Sequence, residues 1–175
     1  MAEGRTFARE YRPNSLDTYV GNQKVVDTVR NTIRRGNRPQ VVLVEGITGS
    51  GKTTIARILM KEYECTNRVE GHDSCGECAS CKAFEEYIRT GVTDNLPDVN
   101  EINVAQNSGK GDIVELLEDR VYLPQDGYFK YYYFDEVHKA SDALQNYLLK
   151  PLEEPEEHVV YILATTDVDK LLPTI

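Results

Sequence analysis

Gly46, Gly51, Lys52 and Thr53 fall at the spacing G-x-x-x-x-G-K-[ST] inside VEGITGSGKTTIAR, residues 44–57. Small residues let such a loop wrap with consecutive backbone N–H groups turned inward, and a helix that follows adds the positive end of its dipole. A triphosphate is the natural anion for that nest. In this reading Gly46-Ile47-Thr48-Gly49-Ser50-Gly51-Lys52-Thr53-Thr54 forms the cradle. Lys52 neutralises β/γ-phosphate charge and the Thr53 hydroxyl enters a Mg²⁺ shell. The motif separates neither ATP from GTP nor hydrolysis from simple retention.

Spending a triphosphate also takes a carboxylate on the metal side and a group that orients the attacking water. Tyr131-Tyr132-Tyr133-Phe134-Asp135-Glu136 offers both at the end of an apolar run. Adjacent residues leave a strand end in different directions, so Asp135 is expected on the metal and Glu136 on the water. Thr165 and Thr166 end the next apolar run, where the ligand crevice of a parallel sheet lies. A hydroxyl there can reach a γ-phosphate or the attacking water.

A second cluster is chemically separate. Cys65, Cys75, Cys78 and Cys81 are all the cysteines, spaced C-x9-C-x2-C-x2-C. Four thiolates at this spacing can close a tetrahedral, structural Zn²⁺ site. An Fe–S cluster and free thiols are the rivals; the bacterial ferredoxin run wants a Cys-Pro soon after the last cysteine, and Lys82-Ala83-Phe84-Glu85 follows instead. His72 is surplus to a four-cysteine set and reads as a solvated turn residue.

The elements that must position these groups alternate. Val25, Val26, Val29 and Ile33 recur at helical spacing over 23–35, and Gly36 follows as a stop. Residues 40–45 read as a buried strand, and Ile55, Ile58, Leu59 and Tyr63 as one helix face. Past the cysteines, 99–105 reads as a strand, 111–123 as a helix and 128–136 as a strand. Ser141 caps a helix over 142–154 that Pro151 kinks or shortens, and 159–167 is a final apolar run. Strands apolar along their whole length, alternating with helices, indicate an α/β fold with a parallel sheet covered on both faces.

Composition sets the outer limits. At 175 residues, 40% hydrophobic and 28% charged, the chain is one domain's worth of ordinary globular protein. No apolar run approaches a membrane span, and the first residues lack a signal-peptide core, so a cytoplasmic protein is expected. Residues 1–40 carry eight Lys/Arg against four Asp/Glu, whereas the net charge of the whole is −9. A local basic face is compatible with that balance; a wholly basic, nucleic-acid-coating surface is not.

With these residues on the page, the sequence resembles the ATPase domain of the gamma/tau clamp-loader subunits of bacterial DNA polymerase III, which are AAA+ P-loop NTPases. The resemblance runs through Tyr11-Arg12-Pro13, Val20-Gly21-Asn22-Gln23, the phosphate loop, the four-cysteine insert, Asp135-Glu136-Val137-His138, Leu148-Leu149-Lys150, Leu152-Glu153-Glu154-Pro155 and Ala164-Thr165-Thr166-Asp167. It implies a partial AAA+ domain over 1–175 with a zinc-binding insert at 65–81. Arg12, Pro13 and Val20 would line an adenine pocket, favouring ATP. Thr166 would be the sensor beside the γ-phosphate. Gln106 to Asp112, with Ser108 and Lys110, would track a DNA backbone, although Val114 stands where the family has an arginine.

In the resembled family the chain runs past the position of Ile175 into a Ser-Arg-Cys motif whose arginine reaches a neighbour's ATP. A fifth strand, a helical lid and an oligomerising collar also follow there, and all are expected to lie outside these residues. The function implied is an ATPase core that opens and loads a sliding clamp on primer–template DNA in a hetero-oligomer, with turnover needing partner subunits and no membrane. The alternative is a nucleotide-holding interaction module without significant turnover. A DExH helicase, suggested by Asp135-Glu136-Val137-His138, would need a second RecA-like domain.

Overall fold

The sequence is punctuated by residues that start and stop helices. Asn22 caps α1 (Gln23–Arg34) by accepting from the Lys24 amide, and Gly36 ends the segment at φ +75°. After β1 (Val41–Glu45) come α2 (Lys52–Glu64), α3 (Ala79–Thr90), β2 (Val99–Asn103), α4 (Lys110–Glu118), β3 (Lys130–Asp135), α5 (Asp142–Glu153) and β4 (Val159–Thr165). Single 3₁₀ turns cover Asp119–Val121, Val137–Lys139 and Val168–Lys170. This is a computed structural model, and it describes residues 11–106 and 110–174.

The four strands form one sheet in the order β1-β4-β3-β2, every pair parallel. Strand β4 is buried at all seven positions and β3 at the first five of six, as strands covered on both faces must be. The aromatic run of β3 has a packing cause. Tyr132 pairs in register with Tyr161 of β4, and their rings stack with centroids 5.6 Å apart. Around them Ile102, Phe134, Leu163, Leu117 of α4 and Leu144 and Leu148 of α5 close one apolar core. Strand β1 lies at an edge of the described sheet, with Leu43 partly exposed.

The chain divides into two compact units. Among the described residues, one comprises 11–38 and 54–96; the other comprises 39–53, 97–106 and 110–174 and contains the sheet. In the first, the fully buried Tyr87 of α3 lies under the Arg57 guanidinium, 4.6 Å from its ring centroid. Arg57 also donates to the Tyr87 and Ile88 carbonyls at 3.2 Å, at the end of α3 where left-handed Gly91 donates its own amide to the Tyr87 carbonyl at 2.8 Å.

Four of the boundaries that differ from the sequence expectation have a plain local reason. The helix expected over 111–123 stops at Glu118 and tightens into a 3₁₀ turn, where Arg120 donates to the Leu117 carbonyl at 2.8 Å. The strand expected to reach 105 ends at Asn103, whose side-chain oxygen accepts from the Ala105 and Gln106 amides. Strand β3 stops at Asp135 because Glu136 turns out at φ +56°. Helix α5 passes through Pro151 and ends two residues later, Pro151 lacking the N–H that would return to Tyr147.

Candidate functional site

The cradle begins where β1 runs out. The Gly46 amide still donates to the Thr165 carbonyl of β4 at 3.1 Å, so the loop leaves the sheet at a fixed point. A Cβ on Gly46 would stand 2.6 Å from Ser50 Oγ, and Gly51 turns into α2 at φ +91°. A turn closed by Ser50 N–H on the Ile47 carbonyl at 3.1 Å lies between them. Helix α2 starts at Lys52, so the amides of Lys52, Thr53 and Thr54 lack carbonyl partners within the helix and carry its positive end. The Lys52 ammonium is buried, folded back on the Gly46 and Ile47 carbonyls at 2.7 and 3.2 Å.

The acidic pair sits at the end of β3, in the same unit as the loop. Tyr133 joins the two. Its hydroxyl donates to Thr53 Oγ1 at 3.3 Å, and period-two alternation puts its side chain on the same face of β3 as Asp135. Burial, then the charge of neighbouring Glu136, pushes the half-buried Asp135 carboxyl above its ordinary range. Burial likewise pushes the Tyr133 hydroxyl up, so it stays a proton donor. The Asp135 carboxyl and the Tyr133 phenol, each disfavoured in its charged form, make a set that a bound cation would relieve.

Glu136 is the one non-glycine residue at positive φ among the described residues. Its carboxylate meets His138 Nε2 at 3.3 Å and Lys139 Nζ at 3.8 Å. Of the two threonines at the end of β4, Thr165 is fully buried and its hydroxyl meets His138 Nδ1 at 3.2 Å; Thr166 is half-buried. Tyr133 and His138 were not singled out from sequence. Period-two alternation puts Tyr133 on the face of Asp135, and His138 stood within the quoted Asp-Glu-Val-His run, so both carried a legible signal.

The four cysteines converge in the other unit. Their sulfurs all lie within 4.8 Å of one another, with Cys65, Cys78 and Cys81 buried. Tetrahedral Zn²⁺ with Zn–S near 2.3 Å wants sulfurs about 3.8 Å apart, and Cys75 and Cys81 stand at 4.0 Å, so the donor set fits that ion. Backbone amides support the sulfurs: Cys75 N–H points at Cys65 Sγ (3.2 Å), and Glu77 and Cys78 N–H at Cys75 Sγ (3.4 Å each). Burial pushes the Cys81 thiol up. At Cys78 burial is outweighed by hydrogen bonds from Thr66 and the Cys81 amide, which pull that thiol down to about 5. Cys78 is also the N-cap of α3.

Charged struts hold the lobe, and spacing gave no hint of them. Fully buried Glu62 of α2 accepts from Ser74 N–H (2.7 Å), Ser74 Oγ (2.8 Å) and Arg68 (2.9 Å). Asp73 takes Arg30 at 2.8 Å and Arg34 at 3.0 Å from α1. His72 is exposed, as a turn residue should be.

A family model described as "DNA polymerase III, delta subunit" matches residues 21–175. The chain belongs to that family. Among its DNA polymerase III relatives, subunit gamma of Buchnera aphidicola subsp. Baizongia pistaciae is 38% identical over 169 residues, 97% of this chain and 44% of that protein. Subunit tau of Escherichia coli K12 is 37% identical over 171 residues, 98% of this chain and 25% of that protein. The chain thus spans less than half the length of these curated relatives. The resemblance to gamma/tau subunits holds across nearly all of it.

Solved structures give the fold. The Thermotoga maritima RuvB Holliday junction branch migration motor superposes with a TM-score of 0.57 at 20% identity, covering 94% of this chain and 45% of that one. A DNA polymerase III gamma subunit-related protein of Thermotoga maritima gives 0.50 at 20% identity, covering 85% and 42%. The DNA polymerase III family member described here therefore has an AAA+ ATPase fold with a four-strand parallel sheet and a cysteine cluster. No helix among the described residues is long and apolar enough to cross a membrane.

The family member's sheet-containing unit brings together Gly46–Thr53, Asp135, Glu136 and Thr166. Arg12, Pro13 and Val20 belong to the other unit, as does Thr54, and the adenine contact expected of the first three rests on the resemblance. Of the segment expected to track DNA, residues 107–109, Ser108 among them, lie outside the described residues, as do the side chains of Lys110 and Asp112.

Proposed function

We propose that this chain is the ATP-binding and hydrolysing core of a DNA polymerase clamp-loader subunit, which uses ATP with companion subunits to open a sliding clamp and load it on primer–template DNA. The observation that carries the reading is Tyr133, which shares a face of β3 with Asp135 and places its hydroxyl on Thr53 Oγ1 of the phosphate loop. It links phosphate loop and acidic pair through one side chain, as a shared metal-bound triphosphate requires. Bound Mg²⁺ would be held through Thr53 and Asp135 and would neutralise charge that develops on the phosphates.

The protein's own groups divide the remaining work. The loop amides from Ile47 to Thr54 and the start of α2 bind the phosphates, and Lys52 exchanges its loop carbonyls for phosphate oxygens. Thr53 and Asp135 hold the metal side. Glu136 orients the attacking water, and Thr166 offers its hydroxyl toward the γ-phosphate. In the other unit Cys65, Cys75, Cys78 and Cys81 hold Zn²⁺ as a structural ion.

The test is nucleotide titration and turnover on the full-length protein with its companion subunits, clamp and primed DNA. Wild type is expected to bind Mg-ATP and to hydrolyse it faster when clamp and primed DNA are present. Glu136→Gln should keep binding and lose turnover by at least about 100-fold. Full-rate turnover by that variant would remove Glu136 from its role, and an absence of Mg-ATP binding in wild type would sink the reading.

A further inference from the structure

We infer that His138 is a positioning residue for Glu136, the central member of a chain of polar contacts that runs from the end of β4 to the water-orienting carboxylate. The inference rests on the ATPase reading for its consequence and on the geometry alone for its existence.

The relay follows from counting donors and acceptors. Thr165 Oγ1 accepts from the Asp167 amide at 3.0 Å, and the hydroxyl has one proton to give. Its neighbour at 3.2 Å is His138 Nδ1. With Nδ1 accepting, the imidazole proton resides on Nε2, which faces Glu136 Oε2 at 3.3 Å. The opposite neutral tautomer would set the Nε2 lone pair against a carboxylate oxygen, a repulsive arrangement. The Thr165 hydroxyl thus fixes the tautomer, and the tautomer makes Nε2 a donor to Glu136.

The fold gives this chain of contacts a job. Glu136 sits at φ +56°, ψ 42°, a conformation that costs a residue with a Cβ about 1 kcal/mol and so needs support. Its amide donates to Asp135 Oδ1 at 3.1 Å, which anchors the backbone. Its carboxylate has Lys139 at 3.8 Å, but that lysine side chain is half exposed, a weak and screened contact. His138 is the better anchor. Its side chain is 8% exposed, and the 3₁₀ turn Val137–Lys139 holds it by Lys139 N–H on the Glu136 carbonyl and Ala140 N–H on the Val137 carbonyl, each 2.9 Å. Because Phe134 pairs with Leu163, Glu136 and Thr165 fall level at the ends of adjacent strands, and His138 spans them. The two threonines then have separate tasks: Thr165 holds the relay and Thr166 is left for the nucleotide.

Two measurements on the full-length protein test this. The first is long-range ¹H–¹⁵N correlation of the histidine rings. It should report the Nε2–H tautomer for His138 in wild type and its loss in Thr165→Val; a neutral Nδ1–H tautomer in wild type overturns the relay whether or not the protein hydrolyses ATP.

The second is single-turnover hydrolysis beside equilibrium Mg-ATP binding. His138→Leu should slow hydrolysis about 10- to 100-fold with nucleotide affinity within about 2-fold of wild type. His138→Gln, whose amide can donate to Glu136 and accept from Thr165, should recover most of the rate. Wild-type turnover in His138→Leu, or no recovery in His138→Gln, overturns the positioning role. A wild-type protein that binds without hydrolysing overturns the ATPase reading instead, and the tautomer still decides the relay.

Discussion

The phosphate cradle and the cysteine lobe achieve order in opposite ways. The cradle is a backbone object: a glycine at positive φ, a loop amide tied to β4 and a helix start, all fixed against β4, which is buried at every position. Its reactive side chains are carried on a structure that is finished without them. From Cys65 to Cys78 the lobe has neither strand nor helix, and side chains hold it: four sulfurs, Glu62 beneath Ser74, and Asp73 between two arginines. Chemistry and folding are separable in the first region and are one matter in the second.

That difference is broken most sharply by removing a sulfur. Cys81 is fully buried and belongs both to the cluster and to the first turn of α3. Cys81→Ala is expected to abolish stoichiometric zinc, measured by metal analysis of the purified protein. It should also remove hydrogen-exchange protection across 65–90, because structural zinc contributes on the order of 10 kcal/mol to folding of such lobes. Prolonged chelation of wild type should reproduce the loss. Retained protection in the metal-free protein would mean that the ionic struts suffice, and the contrast would fail.

The corresponding lesion in the cradle should spare the fold. Lys52→Ala removes an ammonium whose hydrogen bonds go to two loop carbonyls. Mg-ATP affinity should fall by about 100-fold or more, equivalent to ~2.7 kcal/mol. The thermal midpoint of the nucleotide-free protein should hardly move. Calorimetric titration and a melting curve on the same sample give both readings.

Legibility in the sequence follows the same line. Gly46, Gly51, Lys52 and Thr53 could be read because a backbone nest imposes residue types at fixed spacing, and β3 and β4 because full burial leaves unbroken apolar runs. The cysteines were legible since all four stand at short intervals, and their sulfurs do converge. Glu62 and Asp73 were not, since each earns its place from a partner 12 to 43 residues distant, and a lone charged side chain announces no such partner. Helix ends failed for a related reason: Arg120 and Asn103 satisfy backbone groups locally, and periodicity does not register which side chain will turn back.

A smaller effect sharpens the lobe side of the comparison. Arg57 is buried, caps the end of α3 and lies over Tyr87. Arg57→Ala strips two charge-assisted hydrogen bonds and a cation–π contact, about 2 to 3 kcal/mol together. The melting midpoint should fall by roughly 5–10 °C in a chain of this length. Zinc content should persist, because no sulfur has been touched. Loss of zinc with the midpoint would show α3, rather than the thiolates, to be what holds the lobe.

The smallest effect concerns the cradle and has the opposite sign. Burial and the charge of Glu136 raise the Asp135 carboxyl above its ordinary range, so the charged form is the one the folded state disfavours. A group shifted this way lends stability that is complete below its unfolded-state pKa and is lost as pH rises through the higher folded-state value. In metal-free wild type the melting midpoint should therefore carry a small downward slope across the acidic range. Asp135→Asn removes the titration and the repulsion, so its midpoint at neutral pH should lie above that of wild type, with that part of the slope gone. Added Mg-ATP should then stabilise wild type and leave the variant unmoved, reversing their order. A residue whose loss strengthens the empty protein and weakens the loaded one is held at its position by the ligand it serves. If Asp135→Asn instead lowers the midpoint without nucleotide, Asp135 belongs to the architecture, as the cysteines do, and the cradle's independence from its reactive groups is wrong at that residue.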